Sequence, residues 1–199
     1  ALEDAVALGA SLRASSDGPE ALRRYEAQRI ARANAILVQS RRIGSYAVHA
    51  IRAGYQALDG GAMFGVVPKT LWQRRIVPDD RNRILLGMRC LLIEHETGLV
   101  LVDSGAGNKE DAKFKDIYGI RNDAVDAEAD GSRRTALESG LRQLGRSPDE
   151  IALVINTHLH FDHAGGNTCV DATGVVRPSF PNARYVVQAG EHHWATHTN

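Results

Sequence analysis

Cysteine is nearly absent: only Cys90 and Cys169 occur in 199 residues, so disulfides do not carry the fold. Neither charge is in excess, with Lys and Arg totalling 24 and Asp and Glu totalling 24. Such a balanced chain lacks the electrostatic footprint of a general nucleic-acid or membrane-surface binder. Long apolar runs are missing as well. Runs such as Ala35–Val38 and Leu91–Ile93 are far too short to span a bilayer. The opening residues Ala1–Leu8 lack the charged-then-apolar form of a signal peptide, and a cytoplasmic location is expected. There is no internal repeat, no low-complexity segment and no Ser-His-Asp pattern with a nucleophile elbow. Gly105–Lys109 has the glycines of a phosphate loop without its spacing and reads as a turn. What remains is ordinary globular material, 43% hydrophobic and 24% charged.

Two regions differ in period. Residues 1–42 read as two helices, about 1–15 and 19–42, broken at Ser16-Asp17-Gly18-Pro19. From Ile43 the period becomes strand-like, with a first strand over Tyr46–Arg52. Leu58–Pro68 is Gly-rich and reads as a loop or broken strand. Arg89–His95 and Leu99–Asp103 form a hairpin through Glu96-Thr97-Gly98. A short helix near Ala112–Tyr118 and an amphipathic helix over Arg133–Leu144 follow. Ser147-Pro148-Asp149-Glu150 has capping-box form and predicts one helical turn before the buried strand Ile151–Thr157. Arg184–Gln188 reads as another strand and Gly190–Thr196 as a helical turn. The order of elements predicts a layered α/β domain.

The informative segment is Thr157-His158-Leu159-His160-Phe161-Asp162-His163, which puts three histidines and one aspartate within six residues. Residues two apart on an extended segment point to the same side. His158 and His160 can therefore converge on one ion at the end of the 151–157 strand. Asp162 and His163, after a turn, can face a second position, with Leu159 and Phe161 directed into the core. Gly165-Gly166 lets backbone pass close beside the site. Imidazole nitrogen with carboxylate oxygen suits zinc, and iron, manganese or cobalt could use the same set. Surface histidines decorating a strand end are the plain alternative, and the spacing argues against it. His192, His193 and His197 are expected on a solvated helix, not as ligands. Cys90 reads as core and Cys169 as a free thiol without a role.

The run Thr157–Asn167 resembles the His-x-His-x-Asp-His signature of the metallo-β-lactamase superfamily. Leu101-Val102-Asp103-Ser104-Gly105 is similar to that superfamily's early strand ending in an aspartate. Leu58–Lys69 and Phe180–Ala183 resemble a narrower branch, the quorum-quenching lactonases that open N-acyl-homoserine lactones. The resemblance runs over 43–199 and implies a partial αβ/βα sandwich with a two-metal site. It implies His158 and His160 on the first metal, Asp162 and His163 on the second, and Asp103 as a carboxylate that orients ligands. The implied cofactor is a pair of zinc ions whose shared water, lowered in pKa, attacks a small-molecule lactone or ester, with Asp162 also relaying a proton. The family's further ligands, a third His, a bridging Asp and a last His, would come downstream. With the chain ending at Asn199, each metal position is expected to keep two protein ligands, and both chain ends read as cut. Met63 and Phe64 either line an acyl-chain pocket, as the branch implies, or simply pack the loop.

Ala1–Leu8 and Ala21–Arg29 resemble the C-terminal helices of flavin-dependent aromatic monooxygenases. The Gly-rich dinucleotide fingerprint is missing, so no flavin binding is expected. The two resemblances together suggest a fusion of a monooxygenase tail to a metallohydrolase. Rival expectations are a non-catalytic truncated fragment whose unfinished sandwich leaves an apolar sheet face exposed, a glyoxalase-II-like thioesterase, an iron dioxygenase and a flavin monooxygenase remnant. Zero net charge argues against an RNA-processing nuclease.

Overall fold

The computed structural model describes residues 46–122 and 135–197. The helices expected over 1–42, their flavoprotein resemblance and the boundary at Ile43 lie outside the described residues. Nearly everything described belongs to one compact unit, Ala47–Asn199.

β1 runs from Ala47 to Asp59 and is twice as long as its alternation suggests. Its register shifts between Arg52 and Gly54, and Gly54 has φ +128°, so the period of two breaks mid-strand. That bulge hid the strand's second half. Asp59 then accepts a hydrogen bond from Ala62 N–H (2.8 Å) and caps a short helix, α1, Gly60–Phe64. The Gly-rich stretch expected as a loop or broken strand is thus the end of a strand plus a capped helical turn. α2 (Lys69–Trp72) follows, and Phe64 stacks on Trp72 with ring centroids 5.1 Å apart.

β2 (Arg83–His95) and β3 (Gly98–Val102) form the expected hairpin. α3 spans Ala112–Ile117 and α4 spans Ala136–Gln143. A capping box between Thr135 and Glu138 starts α4. At Pro148–Glu150 the expected single turn is 3₁₀, with the Glu150 carboxylate accepting from Ser147 N–H (2.6 Å). β4 is Ile151–Asn156, followed by α5 (Phe161–Ala164), a small hairpin of β5 (Thr168–Val170) and β6 (Val176–Pro178), β7 (Arg184–Val187) and α6 (Ala189–His197). The β5–β6 hairpin lacks a sequence signal because each strand is only three residues long.

The main sheet has strand order β1-β2-β3-β4-β7. β1, β2 and β3 pair antiparallel, whereas β3–β4 and β4–β7 are parallel. One face carries the core: Ile51, Cys90, Leu92, Leu101, Ile151 and Val154, covered by Leu137 and Leu141 of α4. α4 can lie close because Gly140 has no side chain; a Cβ there would stand 2.3 Å from Ile51 Cγ2. The other face is also apolar, and Val48, Leu85, Leu91 and Val186 stay exposed on it. Among the described residues no helix is long and apolar enough to cross a membrane.

Cys90 is 1% exposed, and burial pushes its thiol up to about 12. Iodoacetamide at pH 8 is therefore expected to modify only the half-buried Cys169 in the folded chain and both cysteines in guanidinium. Mass spectrometry of the labelled chain reads this directly. Equal labelling of both in the native state would contradict the packing.

Candidate active site

The site lies where the parallel strands β3 and β4 end. Asp103 is the first residue past β3 and takes φ +59°, a left-handed conformation uncommon outside glycine. Its backbone N–H donates to Ile155 O (2.9 Å), which fixes its height beside β4. In that pose the buried carboxylate reaches the β4 end. Asp103 Oδ1 accepts from Thr157 N–H at 2.8 Å, and Thr157 Oγ1 lies 3.0 and 2.9 Å from the two oxygens. His163 Nδ1 is 2.8 Å from Asp103 Oδ2.

Those distances favour one arrangement of protons. A carboxylate only accepts, so His163 Nδ1 carries its proton toward Asp103 and Thr157 spends its hydroxyl proton there as well. Thr157 Oγ1 is then left as acceptor for His158 Nδ1–H, 3.0 Å away. With Nδ1 engaged on each ring, Nε2 is the atom turned away from Asp103 and Thr157, and on His163 it faces Asp162 Oδ2 at 3.4 Å; a neutral imidazole ligates a metal through that nitrogen. Asp103 thus orients His163 directly and His158 through Thr157.

α5 supplies the turn. His163 and Ala164 N–H groups donate to His160 O (3.0 and 2.9 Å), folding the chain back so that the His163 ring lies 4.0 Å from that of His158. The His158 and His160 rings meet edge to face at 4.7 Å. Asp162 Oδ2 is 3.4 Å from His163 Nε2 and accepts from Gln56 Nε2 at 2.5 Å. Phe161 points into an aromatic cluster with Phe114 and Tyr118, at centroid distances of 5.0 and 4.7 Å. Leu159, expected in the core, is only half-buried; its N–H is turned toward Glu191 Oε2 of α6 (3.3 Å).

Gly165 and Gly166 allow the close backbone approach expected of them. A Cβ on Gly166 would meet Ser104 O at 2.1 Å, and one on Gly165 would meet Ala106 O at 2.6 Å. They admit the backbone of the 104–107 turn. Ser104 N–H donates to His163 O (2.7 Å), its Oγ–H is shared between that oxygen (3.1 Å) and Asn167 Oδ1 (2.9 Å), and Gly166 N–H donates to Gly105 O (2.7 Å). The Lys109 ammonium ties the same seam by donating to Gly165 O and Thr168 O, and burial pulls its pKa below the usual lysine value. The 105–109 segment is a turn whose glycines and lysine serve this docking.

His158, His160, Asp162, His163 and Asp103 therefore come together in one cluster. Among the described residues, no group of three His, Cys, Asp or Glu side chains is disposed to hold one ion. His192, His193 and His197 are exposed on α6, with His193 stacked on His197 at 4.5 Å. Phe64 packs on Trp72, while Met63 is exposed. Sequence reasoning missed three contributors. Thr157 lay inside the motif without a role. Glu191 was passed over with its helix. Gln56 fell between the strand read over Tyr46–Arg52 and the Gly-rich stretch from Leu58, in a part of β1 given no assignment.

The Metallo-beta-lactamase superfamily model matches residues 87–195, more than half the chain and all of the clustered histidines. The chain belongs to the metallo-beta-lactamase superfamily. The mixed α/β sheet described above is this superfamily's fold, and its members similar to this chain are named as hydrolases. One is an N-acyl homoserine lactonase of Bacillus thuringiensis, 32% identical over 112 residues, 54% of this chain and 39% of the relative. The chain thus spans about two fifths of the length of that curated relative. A probable metal-dependent hydrolase from Staphylococcus aureus superposes with a TM-score of 0.65 at 34% identity, covering 79% of this chain and 52% of that one. AidC, a dizinc quorum-quenching lactonase, shares the fold at 22% identity and a TM-score of 0.55, over 78% of this chain and 46% of its own.

Proposed function

We propose that this metallo-beta-lactamase domain serves a metal-dependent hydrolase acting on lactones or related small-molecule esters. The observation that supports the reading is the Asp103–Thr157 arrangement, which engages Nδ1 of both His158 and His163 and turns their Nε2 atoms toward the histidine–aspartate cluster. His158 and His160 would hold one ion, and Asp162 and His163 a second. Bound zinc would supply an acidified water and polarise the ester carbonyl. Asp103 keeps the two imidazoles in the ligating tautomer. The Asp162 carboxylate, held from one side by Gln56, would accept a proton and return it to the leaving oxygen. The lactone preference draws on the named lactonase relatives, and a cytoplasmic location suits two unpaired cysteines.

The test uses protein containing this chain, with zinc content by plasma mass spectrometry and ring opening of an N-acyl-homoserine lactone by pH-stat. Zinc-dependent opening is expected, abolished by chelation and reduced at least about 100-fold in Asp162→Asn or in the double variant His158→Ala/His160→Ala. Protein that retains no zinc would sink the reading. A thioester cleaved faster than the lactone would move the activity to a glyoxalase-II-like thioesterase.

A further inference from the structure

Gln56 lies on β1, 5% exposed, on the side of the sheet that carries Ile84 and Met88 of β2. Its Nε2 donates to Asp162 Oδ2 at 2.5 Å across 106 residues of sequence. Its Oε1 is buried and has no hydrogen-bond partner among the described residues. The amide cannot be turned around, because Oε1 would then face a carboxylate oxygen. A leucine or methionine would fill this strand position without leaving a buried acceptor unpaired. Core packing therefore does not account for glutamine here, and the bond to Asp162 does.

We propose that Gln56 is a positioning residue that fixes the Asp162 carboxylate for ligation. Gln56 occupies one side of Oδ2, on the oxygen that also lies 3.4 Å from His163 Nε2, and leaves Oδ1 unclaimed by it. A free aspartate side chain samples several rotamers; one clamped through Oδ2 presents its remaining lone pairs in a single direction. Asp103 does for His163 from β3 what Gln56 does for Asp162 from β1. The two residues of the second pair are thus each held by a different strand of the same sheet. This inference rests on the ligand reading of Asp162 given above.

Two measurements separate the inference from that reading. The first needs no metal: in ¹⁵N-labelled, metal-free protein the Gln56 side-chain amide protons are expected to be shifted downfield and slow to exchange. Both features should vanish in Asp162→Ala. The second is a zinc and cobalt titration of Gln56→Met and Gln56→Asn, followed by the cobalt visible spectrum. Removal of an outer hydrogen-bond partner is expected to weaken metal binding about 10- to 100-fold in Gln56→Met, with partial rescue in Gln56→Asn. The melting temperature should change little, and Gln56→Met should add nothing in an Asp162→Asn background. An unshifted amide signal, or a Gln56→Met loss that persists undiminished in that background, overturns the positioning role. Wild-type protein that binds no metal but keeps the amide signal overturns the hydrolase reading and leaves the clamp on Asp162 standing.

Discussion

Gly166→Ala is expected to cost about 3 kcal/mol or more and to lower the melting temperature by roughly 6–12 °C. The added Cβ would lie 2.1 Å from Ser104 O and 2.9 Å from Ser104 C, both backbone atoms. Neither side can retreat. Ser104 N–H is bonded to His163 O at 2.7 Å and Gly166 N–H to Gly105 O at 2.7 Å, so the two segments are stitched on either side of the clash. Gly107 meets the same seam from the opposite side, where a Cβ would stand 2.6 Å from Gly165 O. Forcing the segments apart would also shift His163, because its carbonyl accepts both Ser104 bonds. Gly87→Ala is the control. Its nearest neighbour would be Arg89 Nε at 3.9 Å, so that variant is expected to be neutral or slightly stabilising. Denaturant melts of both variants decide the matter; equal effects would mean that the close backbone approach is not what the glycine serves.

Asp103→Ala is expected to be as damaging, by a different route. The carboxylate receives Thr157 N–H, Thr157 Oγ1–H and His163 Nδ1–H while 6% exposed. Truncation leaves three donors without their acceptor, at about 1–3 kcal/mol for each that finds no water. Alanine must also hold φ +59°, which costs an L-residue roughly 1–2 kcal/mol. Asp103→Gly removes that strain but not the lost bonds. It should therefore be more stable than Asp103→Ala by about 1 kcal/mol and equally unable to orient His163. Long-range ¹H–¹⁵N spectra of the imidazoles are the second readout. Wild-type His163 should show the Nδ1–H form, and both variants a mixture, with zinc affinity lower by about 10- to 100-fold. An unchanged His163 tautomer in Asp103→Ala would show that the ring is held by something other than this carboxylate.

Much of this region was legible before the fold was known, and particular residues show why. Ile151–Asn156 is an apolar, β-branched run of strand length. The turn before it announces itself through Ser147, Pro148 and Glu150. α4 is marked by Leu137 and Leu141 one turn apart and by the capping box at Thr135 and Glu138. These signals are short-range: a cap, a period or a turn is complete within a few residues. The second half of β1 was not legible, because the bulge at Arg52–Gly54 interrupts its alternation and Gly60-Gly61 open a helix with residues that disfavour one.

By itself, then, the sequence determined the ligand-type residues and their spacing, since His158, His160, Asp162 and His163 lie on one short segment after one strand. Tertiary structure alone decided what holds them. Asp103 is 60 residues from His163 and Gln56 is 106 from Asp162, and only the side-by-side placement of β1, β3 and β4 brings each bond to length. A ligand set can be local because one turn aims it. The hydrogen bonds that choose tautomer and rotamer come from neighbouring strands, whose approach depends on sheet register and on glycine-to-backbone contacts that no local pattern encodes.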